Sequence, residues 1–375
     1  MRILTSITAL SPSGGTELHA LQISRELARR GHEIHVMAEM DGVLRHNYEE
    51  FARSVSICGE FQHGPLSVPQ LLHPAGLIKW MEAMRSAVRR SRRLQPDVIY
   101  ANAPQSLMWA CATSVRSDIP IVCHLHGIAG SPIGRQRSFW AKRVATFIAP
   151  STFVRDDWVR HGLPADRIEV VPQAIDPSAY PPATPQRRLS ARREFGLSPG
   201  SFVVVYLGRV VPEKGVEILV RAWEKMGLDA DEGHLLLVGP SWPPGYAEYL
   251  HELAPSNCLF VQMQADVVPV LHAADVLVLP ALWEEPFGRV IIESMATGCP
   301  AVASRVGGIP EILTDEFSSM LFERGGEEVL TARLHELQHW RRDDPGLADR
   351  CVAHVAGTYD LASAADRIEQ ALVSA

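Results

Sequence analysis

Short apolar runs recur along this chain, and each is followed by a loop and then by residues at helical spacing. That order narrows the accessible folds more than any other feature, because strands joined through a helix must lie parallel. Residues 2–8 are the first strand candidate. A helix over 18–30 follows, with Leu18, Leu21, Ile23, Leu27 and Ala28 on one pattern and Gly31 where a C-cap glycine ends a helix. Residues 33–38 are the next strand, and 98–101, 121–125, 146–149 and 168–171 continue the series.

The series breaks and then restarts. Residues 177–185 hold four prolines and no apolar periodicity, which reads as a domain boundary. Strands are then expected at 202–207, 235–238, 259–261, 276–279 and 301–303, with helices over 216–225 and 289–297. A chain of 375 residues suits two domains. We expect an α/β protein of two Rossmann-like domains with parallel sheets. The boundaries are 1–178 for the first domain, 179–197 for a proline-rich linker and 198–355 for the second domain. A C-terminal helix over 356–375 would cross back to the first domain.

Four stretches carry candidate chemistry. The longest runs from Ala274 to Glu311 and contains Trp283-Glu284-Glu285-Pro286-Phe287-Gly288 between a strand and a helix. Glu285 and Glu293 lie eight positions apart, the first in the loop and the second about two turns into the helix. Carboxylates at the carboxyl end of a parallel strand suit a ligand with hydroxyls; the bland alternative is a helix-end acid and a solvated one. Gly208-Arg209-Val210-Val211-Pro212-Glu213-Lys214-Gly215 follows the first strand of the second domain, and its two cations suit a diphosphate or, more simply, a solvated turn. Ser13-Gly14-Gly15-Thr16-Glu17 fits close approach of an anion to a helix N-terminus, or merely a tight turn; it is not G-x-G-x-x-G. His124-Leu125-His126-Gly127 puts two histidines on one face of a strand end, where one can hydrogen-bond a substrate or serve the core. No neighbouring acids or cysteines complete a metal site there, so no metal is expected.

Bulk properties exclude several classes. A net charge of −7 argues against nucleic acid as the main partner. Six cysteines without a C-x-x-C pair read as buried thiols of a cytoplasmic protein. No apolar run reaches the roughly 18 residues that span a membrane. The N-terminal stretch, interrupted by Thr5, Ser6 and Thr8, reads as a buried strand and not as a secretion signal.

Taken together and in order, these motifs resemble glycosyltransferase family 4, retaining nucleotide-sugar glycosyltransferases of the GT-B fold. The resembling residues are Gly14-Gly15-x-Glu17, His126-Gly127, Gly208-Arg209 with Lys214-Gly215, Ala274-Asp275, Glu285-Pro286-Phe287-Gly288 with Glu293, and Gly307-Gly308-x-Pro310-Glu311. The resemblance implies two sheets facing across a cleft that binds the donor. It implies that Arg209 and Lys214 hold the donor diphosphate, that Glu285 binds sugar hydroxyls and that His126 touches the transferred sugar. It assigns donor contacts to Gly15, Gly208, Phe287, Gly288, Arg289 and Glu293, the last on the ribose. It implies no cofactor beyond the nucleotide-diphosphate sugar as co-substrate, no metal, and retention by front-face attack. Three positions in two stretches depart from the family pattern. Pro172-Gln173-Ala174-Ile175-Asp176 stands where Pro-Asn-Gly-Ile-Asp is usual, and Gln262 replaces a glycine near the nucleotide base.

The acceptor would be a hydroxyl compound read by first-domain loops, with Glu17, Arg135 and Arg137 as acceptor-binding candidates. A helix near residues 80–93 carries Arg85, Arg89, Arg90, Arg92 and Arg93, a basic face that suits either solvent or the inner surface of an anionic membrane. Two other functions share the architecture. A nucleotide-sugar 2-epimerase would need an acid/base pair at the sugar C2, which is not evident. A non-catalytic nucleotide-sugar-binding subunit would have no reason to keep Arg209, Lys214, Glu285 and Glu293 together.

Overall fold

A computed structural model describes residues 1–11, 14–58, 74–114, 117–130 and 141–375. The chain divides into two units, Met1–Gln173 with Leu361–Ala375, and Ala174–Asp360. Each is an α/β unit around one parallel sheet.

In the first unit the strands are β1 (Arg2–Ala9), β2 (Glu33–Met40), β3 (Ser54–Ile57), β4 (Val98–Ala101), β5 (Ile121–His124), β6 (Thr146–Ala149) and β7 (Ile168–Val170), in the order β3-β2-β1-β4-β5-β6-β7. In the second they are β8 (Phe202–Leu207), β9 (Gly233–Val238), β10 (Cys258–Val261), β11 (Val276–Leu279), β12 (Ala301–Ser304) and β13 (Leu321–Phe322), in the order β10-β9-β8-β11-β12-β13. Every strand expected from the apolar runs forms, because parallel strands are covered on both faces and lose their alternation. Val276, Leu277, Val278 and Leu279 are each at most 3% exposed. Burying each stabilises the unit by roughly 1.5–3 kcal/mol, which fixes where the following loop begins. Two strands lack such a signal. β3 alternates serine with Val55 and Ile57 and so has no apolar run, and β13 is too short to carry a period.

Two boundary expectations need correction. Residues 179–197 are not a free linker. Thr184 caps helix Pro185–Glu194 by accepting from the Arg187 amide, with Pro185 preset for the first turn. Arg192 on that helix is 2% exposed and donates to the carbonyls of Ala273, Pro199 and Ser201. Prolines that look like linker punctuation here start a docked helix. The helix expected over 356–375 starts later, as Leu361–Val373, after a separate helix Leu347–Thr358. Between them the Ile175 amide donates to the Tyr359 carbonyl at 3.0 Å. The last helix belongs to the first unit, where Arg30 Nη1 reaches Asp366 at 2.5 Å and Glu369 at 2.8 Å. All six cysteines are buried.

Candidate active site

In the second unit the sheet order reverses between β8 and β11, so loops leave their carboxyl ends in opposite directions, the position at which open α/β sheets take ligands. The loop after β8 carries Arg209 and Lys214, and the loop after β11 carries Trp283 and Glu285. They are joined: the amides of Leu282 and Trp283 donate to the Glu213 carbonyl at 2.9 and 3.2 Å. Gly215 makes this possible. Its φ is +67°, and a Cβ there would stand 2.0 Å from the Pro280 carbonyl.

This joint brings Lys214 Nζ to 2.5 Å from Glu285 Oε2, which also accepts from the Trp283 indole at 2.8 Å. The ammonium lies 5.0 Å from the Trp283 ring centre. An ammonium has three donors, so the ion pair leaves Lys214 two for phosphate oxygens. Arg209 is exposed, and its guanidinium has no hydrogen bond or ion pair among the described residues. The motifs do not mark Trp283 as a partner of Glu285; only its place two residues away hints at it.

The loop after β12 closes the other side. Gly308 donates to the Glu285 carbonyl at 2.8 Å, and Gly307 to Glu284 Oε2 at 2.7 Å. A Cβ on Gly307, at φ +55°, would stand 2.0 Å from the Glu285 carbonyl. Glu284 is also ion-paired with Arg324. Nothing in the motifs points to Glu284 as a brace, because the E-x7-E spacing singles out only its neighbour.

Glu293 lies on helix Arg289–Ala296 and is 8% exposed. Its Oε1 accepts from Arg289 Nε at 2.7 Å and from the Tyr180 hydroxyl at 3.0 Å. The Arg289 side chain, expected at the donor, instead turns inward. It is 6% exposed and also donates to the Ala174 carbonyl at 3.0 Å. Burial with a carboxylate one helical turn away explains that orientation. Phe287 is buried, its ring edge-on to Tyr359 with centroids 5.8 Å apart. Gly208 and Gly288 lie at the two loop positions expected, each at positive φ.

Asp275, matched above only as part of a motif, lies at the amino end of β11, away from these loops. Its carboxylate accepts from Arg188 at 2.8 Å, Arg192 at 2.7 Å, Arg341 at 2.9 Å and the Val203 amide at 2.9 Å. Burial pushes this carboxyl up, but the three guanidiniums outweigh burial and hold it below the usual range.

In the first unit His126 follows β5. Its ring stacks on that of His124 with centroids 3.9 Å apart, and His19 stands edge-on to both at 5.4 and 5.9 Å. The Tyr100 hydroxyl and His124 Nδ1 are 2.8 Å apart. Neither ring nitrogen of His126 has a hydrogen-bond partner among the described residues. Burial lowers its pKa to about 3 and pushes His124 well below the usual range as well. His126 is therefore a neutral donor or acceptor near neutral pH. The described residues contain no group of three His, Cys, Asp or Glu side chains able to hold a metal ion, this trio included. His19 gives no motif signal, because its place in a helical pattern looks like core.

Gly15 begins helix Gly15–Arg29, with Glu17 in its first turn. A Glu17 oxygen lies 3.5 Å from where a Cβ on Gly14 would stand, so a carboxylate already occupies this N-terminus. Arg135 and Arg137 lie outside the described residues. Helix Pro74–Leu94 buries Ala87 and Ser91 and presents Arg85, Arg89, Arg90 and Arg93 to solvent, while Arg92 donates to the Ala112 carbonyl. Among the described residues, no helix is long and apolar enough to cross a membrane.

Comparison with known proteins adds three findings. Residues 13–179 match the family described as Glycosyltransferase Family 4, and residues 201–339 match Glycosyl transferases group 1. The chain is 29% identical to the D-inositol 3-phosphate glycosyltransferase of Nocardia farcinica over 382 residues, 92% of this chain and 81% of that protein. Its fold matches Anabaena HepE, solved with UDP and glucose, at a TM-score of 0.84 and 24% identity over the whole of both chains. WaaG, a glycosyltransferase of lipopolysaccharide biosynthesis, matches at 0.73 and 17% identity, also over both whole chains.

Proposed function

The chain belongs to glycosyltransferase family 4 and has the GT-B fold, and from that premise we propose that it moves a sugar from a nucleotide-diphosphate sugar to a hydroxyl acceptor. The observation that carries this reading is the Lys214–Glu285 pair beside the unpaired Arg209, at the strand ends where the second sheet reverses order.

In this reading Lys214 and Arg209 take the diphosphate and offset the charge that builds on it as the sugar leaves. Glu285, held by Trp283, accepts from sugar hydroxyls. Amides of Phe287 and Gly288 meet sugar and phosphate, and Glu293 takes the ribose hydroxyls, a task suited to a carboxylate that accepts two bonds at once. His126, neutral, contacts the transferred sugar, with the donor bound between the two domains. The configuration of the sugar is retained, and no metal or further cofactor takes part. The acceptor is chosen by the first unit; the name of the Nocardia relative makes a phosphorylated cyclitol the first compound to screen.

Incubation with UDP-, GDP- and ADP-sugars and a panel of hydroxyl acceptors tests this. Free nucleoside diphosphate should appear in step with glycosylated acceptor, in excess EDTA as well, and NMR of the product should show the donor's anomeric configuration. An altered sugar without released diphosphate would identify an epimerase, and binding without turnover a non-catalytic subunit.

The exposed arginines of helix Pro74–Leu94 support a second, separate proposal, peripheral contact with anionic lipid at the inner face of the membrane. The protein should float with phosphatidylserine vesicles and lose that property when Arg89, Arg90 and Arg93 are changed to Glu; a parent protein that stays in the pellet removes the idea.

A further inference from the structure

Glu293 is held from a part of the chain that its own helix does not touch in sequence. The Tyr180 hydroxyl and Arg289 Nε converge on Oε1 at 3.0 and 2.7 Å, and Arg289 Nη1 continues to the Ala174 carbonyl at 3.0 Å. Ala174 is the first residue of the second unit, immediately after the chain leaves the first. Tyr180 is 8% exposed, as is Glu293. The chain's other passage converges on the same region. The Ile175 amide donates to the Tyr359 carbonyl, Ile175 and Asp360 form a parallel bridge, and the Tyr359 hydroxyl donates to the Glu311 carbonyl at 3.0 Å. The Tyr359 ring lies edge-on to Phe287. Residues next to both chain passages are thus fastened to Glu293, Phe287 and Glu311.

Two donors on one oxygen matter for a ligand. A glutamate side chain left to itself samples many rotamers, and ordering it opposes binding. Here Oε1 is fixed by a charge-assisted bond and a hydroxyl, so the plane of the carboxylate is set before any ligand arrives. The hydroxyl's other partner is the Arg289 side chain, which itself holds Glu293, so both of its contacts serve that carboxylate. The Tyr180 ring can pack without it, so a tyrosine in place of phenylalanine is explained by the carboxylate it meets.

We propose that Tyr180 is a positioning residue for Glu293, orienting that carboxylate toward the ribose diol of a nucleoside diphosphate and tying occupancy of the diol site to residues 174–180. This rests on the proposed role of Glu293 in donor binding. By linkage, a ligand that tightens Glu293 must also tighten the segment that holds it.

Calorimetric titration with UDP, GDP and ADP, followed by the 2′,3′-dideoxy counterpart of whichever binds tightest, tests the proposal. Wild-type protein should favour the ribonucleotide. Tyr180→Phe should weaken the ribonucleotide about tenfold, the loss expected of one hydrogen bond to a charged group, and change dideoxynucleotide affinity less than twofold. Hydrogen exchange on the wild type, which needs no variant, should show residues 174–180 protected by the ribonucleotide and not by its dideoxy counterpart. Equal losses with both ligands would overturn the positioning role and leave the donor reading intact; equal binding of both by the wild type would overturn the positioning role together with the ribose role of Glu293, leaving only the diphosphate contacts of the donor reading. A wild type that binds none of the three diphosphates would sink the donor reading, and this inference with it.

Discussion

His126 and Glu285 both stand just past the carboxyl end of a parallel strand, yet they are held by opposite means. Around His126 there are rings: His124 stacked, His19 edge-on, and Tyr100 behind them. His124 and His126 stay uncharged because burial makes a proton on either costly. Around Glu285 there are charges, and three acids there have their cations: Glu285 with Lys214, Glu284 with Arg324, Glu293 with Arg289. The difference matches the proposed chemistry. A diphosphate needs cations that acids keep in place, whereas a sugar hydroxyl needs a neutral group that does not attract water or counter-ions. Parallel strand ends thus support a charged cluster in one unit and a neutral one in the other, and the contrast can be tested in each.

The largest effect should come from the charged unit's anchor. Asp275→Asn leaves Arg188 and Arg192 buried without their carboxylate and should destabilise the protein by about 3–5 kcal/mol, seen in denaturant unfolding. A loss under 1 kcal/mol would mean that the backbone carbonyls alone hold those guanidiniums.

Next, Lys214→Ala should lower turnover by roughly 100-fold, about 2.7 kcal/mol of transition-state stabilisation. Unchanged kinetics in a folded variant would take the leaving-group role from Lys214.

Acid should then separate the two regions. A buried histidine with a depressed folded pKa takes up a proton on unfolding. Its stabilisation is therefore complete above about pH 6.5 and is lost as pH falls, by about 1.4 kcal/mol per pH unit for each such group until the folded value is reached. His124 and His126 place that loss at β5. Asp275, depressed in the other direction of charge, keeps its contribution until the pH falls below about 4. Burial also holds His234 and His272 low, so the comparison must be read locally. Hydrogen exchange should show β5 amides losing protection between pH 6.5 and 5 ahead of those in β11; equal loss would erase the contrast.

The smallest effect should be at the rim. Arg324 and Glu284 are both substantially exposed, so Arg324→Ala should change unfolding stability by less than about 1 kcal/mol. A larger loss would show that the Glu284 brace on Gly307 depends on the ion pair.

Much of this is legible in the amino-acid order. Buried parallel strands are short apolar runs, and helix and turn signals separate them, so eleven of the thirteen strands follow from local pattern alone. The identities at Arg209, Lys214, Glu285 and Glu293 are legible too, because each stands at a fixed offset from a strand end. Other features are not. The prolines of 177–185 give no sign that Pro185 opens a docked helix, since the same φ restriction suits a linker and a first helical turn. Arg289 looks like an open donor contact because its burial depends on Tyr180 and Ala174, residues of a segment with no periodicity.

The chain's order alone determined two α/β units, their parallel sheets and the residue types at the strand ends, because those follow from local spacing and hydrophobicity. Only the tertiary structure decided who pairs with whom. Lys214 meets Glu285 across 71 positions and Tyr180 meets Glu293 across 113. Charges attract through space without regard to position in the chain, and it is the packed sheet, by fixing where each strand ends, that selects one partner for each.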